Sequence, residues 1–312
     1  MAASVRQRLL TLAKARDEEL EFVMVLYAVE RFLHRLAASP HKDRFVLKGA
    51  MLMLAWKGTP TRPTRDLDLL GFGEISPQSV TRMIADICAD DRVPDGLAFD
   101  AASIHIAPVR ENQRYGGLRA TFMARLGTAL IPCQVDIGIG DAITPGPESI
   151  QFPSLIGMPA TTLRAYPKVT VIAEKFEAMV QLGITNSRMN DFHDVCTLAN
   201  TFAFNSQGLA AAILATFERR KTPLPADMPI AFTKEFLEDS AKRTQWNAFV
   251  KRFKLLTMPG LPDVGTFIAA FPTLPMNQAR DGTTSPGKWK PGGAVVRIGC
   301  SGSPPLSTPP PT

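Results

Sequence analysis

Residues 45–72, FVLKGAMLMLAWKGTPTRPTRDLDLLGF, constrain the fold more than any other stretch of the chain. An apolar triplet, Phe45-Val46-Leu47, stops at Lys48-Gly49. An apolar, helix-favouring segment follows from Ala50 to Trp56, and then a loop rich in Gly, Pro, Thr and Arg. Asp66-Leu67-Asp68 opens a second apolar run. The pattern predicts a strand over 45–47, a helix over 50–57, a loop over 58–64 and a strand over 65–70. Alternate residues of a strand share a face, so Asp66 and Asp68 project together while Leu67 and Leu69 enter the core. Two carboxylates that near to each other repel unless a cation lies between them. Hard oxygen ligands of this kind suit Mg²⁺, or Mn²⁺ in its place, with positions left over for substrate phosphates.

The same stretch carries the groups an anion would need. A glycine turn feeding a helix gathers unpaired backbone N–H groups and the positive end of the helix dipole. Gly49, between Lys48 and Ala50, would let a phosphate come close to the backbone. Arg62, Thr64 and Arg65, in the loop before the acidic pair, would meet a triphosphate. A third carboxylate, Asp136, falls in a predicted strand at 129–137. There Ile131, Cys133, Val135 and Ile137 share one face, and Gln134 and Asp136 the other. Three carboxylates on neighbouring strands beside a phosphate-binding turn suit metal-assisted nucleotidyl transfer, with two metals roughly 3.5–4 Å apart. Each feature also has a plain structural reading. The acidic pair suits a solvated edge strand, Asp136 a turn cap, and the arginines a wet loop.

Along the rest of the chain, 5–38 reads as two helices with a break near Arg16–Glu18. Ser76-Pro77 starts a helix to about Ala89, with Ser76 as its N-cap. A strand is predicted over 103–109, and a hairpin over 117–126 and 129–137 around Gly127-Thr128. A Gly/Pro-rich link spans 138–153, after which the periodicity turns helical. Helices are predicted at 169–182, 189–202, 206–219, 230–240, 243–255 and 263–271. This divides the chain into an α/β domain at 1–150, a helical domain at 151–271 and a tail at 272–312. The tail is proline-rich and reads as disordered apart from a short strand at 294–298, with 285–293 as a basic peptide.

Composition narrows the function classes. The 312 residues are 45% hydrophobic and 21% charged, with net charge +6, which is ordinary for a globular protein and compatible with an anionic partner. The cysteines, Cys88, Cys133, Cys196 and Cys300, form no C-x-x-C pair, and the N-terminus is charged. A reducing cytoplasm is expected, with no disulfides, zinc site, signal peptide or membrane span. No Gly-x-Ser-x-Gly elbow or Walker A motif supports a serine hydrolase or a P-loop ATPase.

Taken together, these motifs resemble the nucleotidyltransferase fold shared with DNA polymerase beta, in which Gly-Ser, a spacer and Asp-x-Asp follow one another. Downstream, Tyr166-Pro-Lys-Val-Thr-Val-Ile-Ala-Glu-Lys-Phe-Glu-Ala-Met and Asn186-Ser-Arg-Met-Asn-Asp-Phe-His-Asp-Val are similar to the AbiEii/AbiGii family of bacterial nucleotidyltransferase toxins. The family order is Lys-Gly-Gly/Ala/Ser, Asp-x-Asp, an Ala-Glu-Lys helix and an Arg-x-x-Asp-x-x-Asp helix. Here it is met by Lys48-Gly49-Ala50, Asp66/Asp68, Ala173-Glu174-Lys175 and Arg188/Asp191/Asp194, over roughly residues 1–270.

The resemblance implies an α+β fold, a nucleotidyltransferase-type mixed sheet with flanking helices followed by a C-terminal helical domain. It implies a toxin that transfers NMP from an NTP to an acceptor, with tRNA or another RNA 3′ end as the expected acceptor and a cognate antitoxin as partner. By the same resemblance Lys175 would bind NTP phosphate, and Arg188, Asp191 and Asp194 would belong to the site. The plain alternatives are a structural ion pair between Arg188 and Asp191, and a Lys175 that snorkels or pairs with a carboxylate. The chain departs from the family pattern where Ala50 replaces a frequent serine and Asn190 a frequent lysine. Two other function classes stay open: a non-catalytic RNA- or partner-binding module on this fold, and a nucleotidyltransferase acting on a small molecule.

Overall fold

The computed structural model describes residues 1–90, 94–109, 116–281 and 288–292. The chain divides into two compact units, Met1–Val171 with Ala215–Thr222, and Ile172–Leu214 with Pro223–Thr312.

The first unit opens with α1 (Ala2–Arg16) and α2 (Leu20–Ala38), separated by Asp17 in the left-handed region at φ 50°. α2 is apolar on nearly every side and is buried accordingly, against the sheet and α1. Its buried charges are matched: Arg35 donates to both Asp95 carboxylate oxygens at 3.1 and 3.3 Å, and Arg31 pairs with Glu30 at 2.8 Å. Then come β1 (Phe45–Lys48), α3 (Met51–Lys57), β2 (Asp66–Gly71) and α4 (Pro77–Cys88). Ser76 caps α4 by accepting from the Ser79 N–H, and Ser79 reciprocates to the Ser76 N–H. β3 (Leu97–Pro108), β4 (Gly117–Leu126), β5 (Ala129–Ile139), β6 (Glu148–Phe152) and β7 (Thr161–Ala165) complete one seven-stranded mixed sheet in the order β3-β4-β5-β2-β1-β7-β6.

β2 lies antiparallel to β1 and parallel to β5, at the centre of that sheet. Leu67, Leu69, Val135 and Ile137 are buried on one face of this pair, where α2 packs on β5. Two strands were illegible in the sequence. β6 and β7 extend the sheet to Ala165, past the point near residue 150 where its alternation fades. Both are short, and β6 is mostly exposed, so neither carries a full alternating pattern.

The helix α5 (Lys168–Leu182) begins in the first unit and continues into the second. α6 (Met189–Thr201), the two-residue strand β8 (Phe204–Asn205) and α7 (Ser206–Arg220) follow. α8 (Lys234–Leu237), α9 (Ser240–Arg252) and α10 (Leu261–Asp281) complete the helical elements. The predicted helix over 230–240 is instead a single 3-10 turn and the four-residue α8. Phe192 and Phe236 stack at 5.6 Å between ring centroids within this unit.

The described stretches of the tail, up to 281 and from 288 to 292, carry structure where the composition predicts disorder. α10 continues to Asp281, and β9 (Lys288–Trp289) pairs with β8. Trp289 explains the order: its ring lies 4.7 Å from that of Phe271 and 5.7 Å from that of Phe267, and its N–H donates to the Ala199 carbonyl at 2.8 Å. The predicted strand at 294–298 lies outside the described residues, as do 285–287 and 293 of the basic segment.

Candidate active site

β2 and its neighbours place charges in one line. Lys48 on β1 is the register partner of Asp68 on β2. Asp68 in turn faces Asp136 on β5, and Asp136 faces Arg119 on β4. Register partners share a face, so Lys48, Asp68, Asp136 and Arg119 form one cross-strand row with the acids in the middle. Asp66 lies one step along the same face, opposite Gln134 and then Thr121. The spacing predicted that Asp66 and Asp68 share a side and that Asp136 joins them from a neighbouring strand. The strand order makes that neighbour the adjacent one.

The turn after β1 closes on this row. Gly49 has φ +73°, in the left-handed region, and a Cβ built on it would lie 1.9 Å from Asp68 Oδ2. The Asp68 carboxylate therefore occupies the space a side chain at 49 would need, and only glycine fits. α3 is a mere seven residues, so it has little helix dipole to offer an anion at this point.

Each flanking cation has a partner. Arg119 clasps Asp136 through two hydrogen bonds of 2.7 Å, from Nε to Oδ1 and from Nη2 to Oδ2. Lys48 Nζ donates to Asp141 Oδ2 at 2.8 Å and lies 5.7 Å from the Tyr166 ring. Arg220, in the part of α7 that belongs to the first unit, reaches Asp141 Oδ1 at 3.2 Å. Burial alone pushes the Asp141 carboxyl up, but the Lys48 and Arg220 charges outweigh it and hold the group below its ordinary value. The loop residues are less settled. Arg65 is exposed and pairs with Glu21 at 3.1 Å, while Arg62 and Thr64 are half-buried.

The second unit holds a charge cluster of its own. Lys175 Nζ on α5 lies 2.7 Å from Asp191 Oδ1 and 3.0 Å from Asp194 Oδ2, both on α6. Arg188 Nε is 2.7 Å from Asp191 Oδ2, a charge contact rather than an aligned hydrogen bond. His193 Nδ1 meets Asp194 Oδ1 at 3.0 Å, and Asn190 donates to Asp191 at 3.3 Å. Asp191 and Asp194 are fully buried, and Lys175 is mostly so. Both readings of Arg188 and Asp191 thus meet in one network, since the ion pair exists and also borders Lys175.

Asp66, Asp68 and Asp136 offer oxygen alone, the chemistry that Mg²⁺ and Mn²⁺ take. Among the described residues no three His, Cys, Asp or Glu side chains converge as a ready-made metal cluster. Arg119 holds Asp136 through one hydrogen bond to each oxygen, which leaves a further lone pair on each. The donors fit in kind, and such a second partner is usual for a carboxylate that also meets a metal.

Arg119, Asp141 and Arg220 were missed in the sequence. Counting outward from the Gly127-Thr128 turn places Arg119 opposite Asp136, so that partner was available to the hairpin reading. Asp141 and Arg220 meet across 79 positions and carry no local signal.

A mixed sheet that seats an Asp-x-Asp strand beside a glycine turn, with a third acid on the next strand, is the architecture of a nucleotidyltransferase. A profile described as "Nucleotidyl transferase AbiEii toxin, Type IV TA system" matches residues 31–270, and the chain belongs to this family. No curated protein matches it. Among solved structures, an H. pylori protein provisionally described as a nucleotidyltransferase is 15% identical, with TM-score 0.48, over 82% of this chain and 95% of that one. JHP933 from Helicobacter pylori is 15% identical, with TM-score 0.47, over 81% and 91% of the two chains. Among the described residues no helix is long and apolar enough to cross a membrane.

Proposed function

We propose that this toxin-family nucleotidyltransferase moves an NMP from an NTP to the 3′ end of an RNA, with tRNA the expected acceptor, and that a divalent metal is required. The observation that carries the reading is the row Lys48–Asp68–Asp136–Arg119 closed by Gly49. Asp66 and Asp68 would hold Mg²⁺ or Mn²⁺, and Asp136 would join them with its carboxylate oriented by Arg119. When bound, such a metal polarises the phosphate and neutralises charge that develops on the oxygens.

The chain's own groups supply the remainder. The backbone at Gly49 and Ala50 admits a phosphate, and the loss of the serine hydroxyl at 50 leaves those N–H groups in place. Arg62, Thr64 and Lys48 are assigned to NTP phosphates, and Lys175 and Arg188 are assigned to them by the family resemblance alone. In this reading Asp191 and Asp194 orient Lys175 by holding its ammonium from two sides. The Arg119 guanidinium, clasped to Asp136, brings a fixed positive charge near the reacting groups, where it can offset charge on phosphate oxygens. Positioning and charge stabilisation then account for most of the rate. Membership of a type IV toxin–antitoxin family implies a cognate antitoxin as regulator.

The test is incubation with each α-labelled NTP and Mg²⁺, first with total RNA and then with a panel of small hydroxyl and amine acceptors. Label in RNA supports the proposal. Label confined to small acceptors replaces RNA as the acceptor class, and no label with any acceptor rejects the catalytic reading.

A further inference from the structure

A cavity of about 300 Å³ lies beside Asp66 in the first unit, on the side of β2 away from Gly49. We infer that it takes the terminal nucleoside of a single-stranded RNA acceptor, with Gln134 and Thr121 reading the base; this rests on the function proposed above. Gln134 and Thr121 are register partners of each other, and Gln134 of Asp66, so both stand on the carboxylate face of the sheet. Met123 and Pro132, also register partners, continue that face and form an apolar wall of the cavity. Arg65 and Asp66 stand at its rim, and Arg65 is paired with Glu21.

Three observations select the occupant. First, among the described residues neither Gln134 nor Thr121 makes a side-chain hydrogen bond to the protein, although their neighbour Ser103 makes two, at 2.6 and 2.9 Å. An amide and a hydroxyl facing an apolar wall match a nucleobase, which has a polar edge and flat apolar faces. Second, the lining carries little charge and its one cation is engaged, so a triphosphate has poor reason to bind there. Third, the order β4-β5-β2-β1 puts this cavity and the Gly49 turn on opposite sides of Asp66 and Asp68. Phosphoryl transfer sets the attacking and leaving oxygens roughly in line, so a leaving pyrophosphate on the β1 side calls for the acceptor on the β5 side. The volume is at the lower end for small-ligand pockets, enough for one nucleoside and too little for a duplex.

The test measures binding rather than turnover. A short 5′-fluorescent single-stranded RNA with a free 3′ hydroxyl is titrated by anisotropy with wild type, Gln134→Leu and Thr121→Val. Both substitutions keep size and remove the polar group from partly exposed positions, and melting temperatures confirm folding. Each variant is expected to bind the RNA about tenfold more weakly while its affinity for NTP with Mg²⁺ stays the same. Unchanged RNA affinity in both variants overturns the inference, and leaves the proposed function standing if the wild type still labels RNA. If wild type binds no RNA but both variants lose labelling of a small acceptor, the cavity belongs to a small molecule and the RNA assignment falls. Loss of NTP affinity in the variants instead assigns the cavity to the donor nucleotide and also overturns it.

Discussion

Replacing Gly49 by alanine tests the contact on which the site is built. The backbone there has φ +73°, which costs an L-residue about 1–2 kcal/mol. The new Cβ would also lie 1.9 Å from Asp68 Oδ2, 2.6 Å from its Cγ and 2.8 Å from its Cβ, against an ordinary contact of roughly 3.5 Å. Either Asp68 rotates away or β1 and β2 separate where Lys48 faces Asp68. Overpacking of this kind adds about 1–3 kcal/mol. A total near 3 kcal/mol should lower the melting temperature of the first unit by roughly 6–12 °C.

The cause can be isolated with a double-mutant cycle. Asp68→Ala removes the two closest overlaps and leaves only the backbone strain and the contact with Cβ. Gly49→Ala should then cost at least about 1 kcal/mol less in the Asp68→Ala background than in wild type, as read by urea denaturation. Equal costs in the two backgrounds would refute the claim that Asp68 occupies the space beside Gly49. Nucleotidyl transfer by Gly49→Ala alone should fall about 100-fold, because the carboxylate is displaced by 1 Å or more.

Lys175→Met leaves Asp191 and Asp194 buried without their shared cation and should cost about 3–5 kcal/mol in urea denaturation; a loss below about 1 kcal/mol contradicts the buried pairing. Asp141 has a lowered folded-state pKa, so the stability it contributes is present above its unfolded value and is lost as pH falls through the folded one. Between about pH 6 and about pH 3, wild type should therefore lose more stability than Asp141→Asn, and identical pH profiles count against the Lys48–Asp141–Arg220 pairing. Trp289→Ala should destabilise the second unit by about 2 kcal/mol, since it removes the ring from Phe271 and Phe267 and the hydrogen bond to Ala199. An unchanged unfolding midpoint in that variant would show that the tail is not docked.

The legible parts of the molecule share a physical trait: their signal is local. The alternation of Asp66, Leu67, Asp68 and Leu69 carries its own face assignment, and burial follows it, with Leu67 and Leu69 buried and Asp66 exposed. Ser76-Pro77 announces a capping box, and Gly127-Thr128 sets the hairpin register. What was illegible depends on distant partners. β6 and β7 are too short to show a period and are specified by the edge they complete. The order around Trp289 comes from packing against residues on α10 and α6, against the drift of a proline-rich composition. Asp141 reads as an ordinary loop acid until Lys48 and Arg220 are brought to it. Asp136 reads as a strand residue facing the right way, and its clasp by Arg119 adds a partner that fixes the orientation of its carboxylate.

Asp66 and Asp68, beside the Gly49 turn, are proposed to form a metal-dependent transfer site. Its most direct test is transfer of label from α-labelled NTPs, with Mg²⁺ and RNA, by wild type and by the double variant Asp66→Asn, Asp68→Asn, both checked as folded by circular dichroism. The account predicts incorporation by wild type that EDTA removes and none by the variant. Undiminished incorporation by the folded variant would show that the chemistry lies elsewhere in the chain.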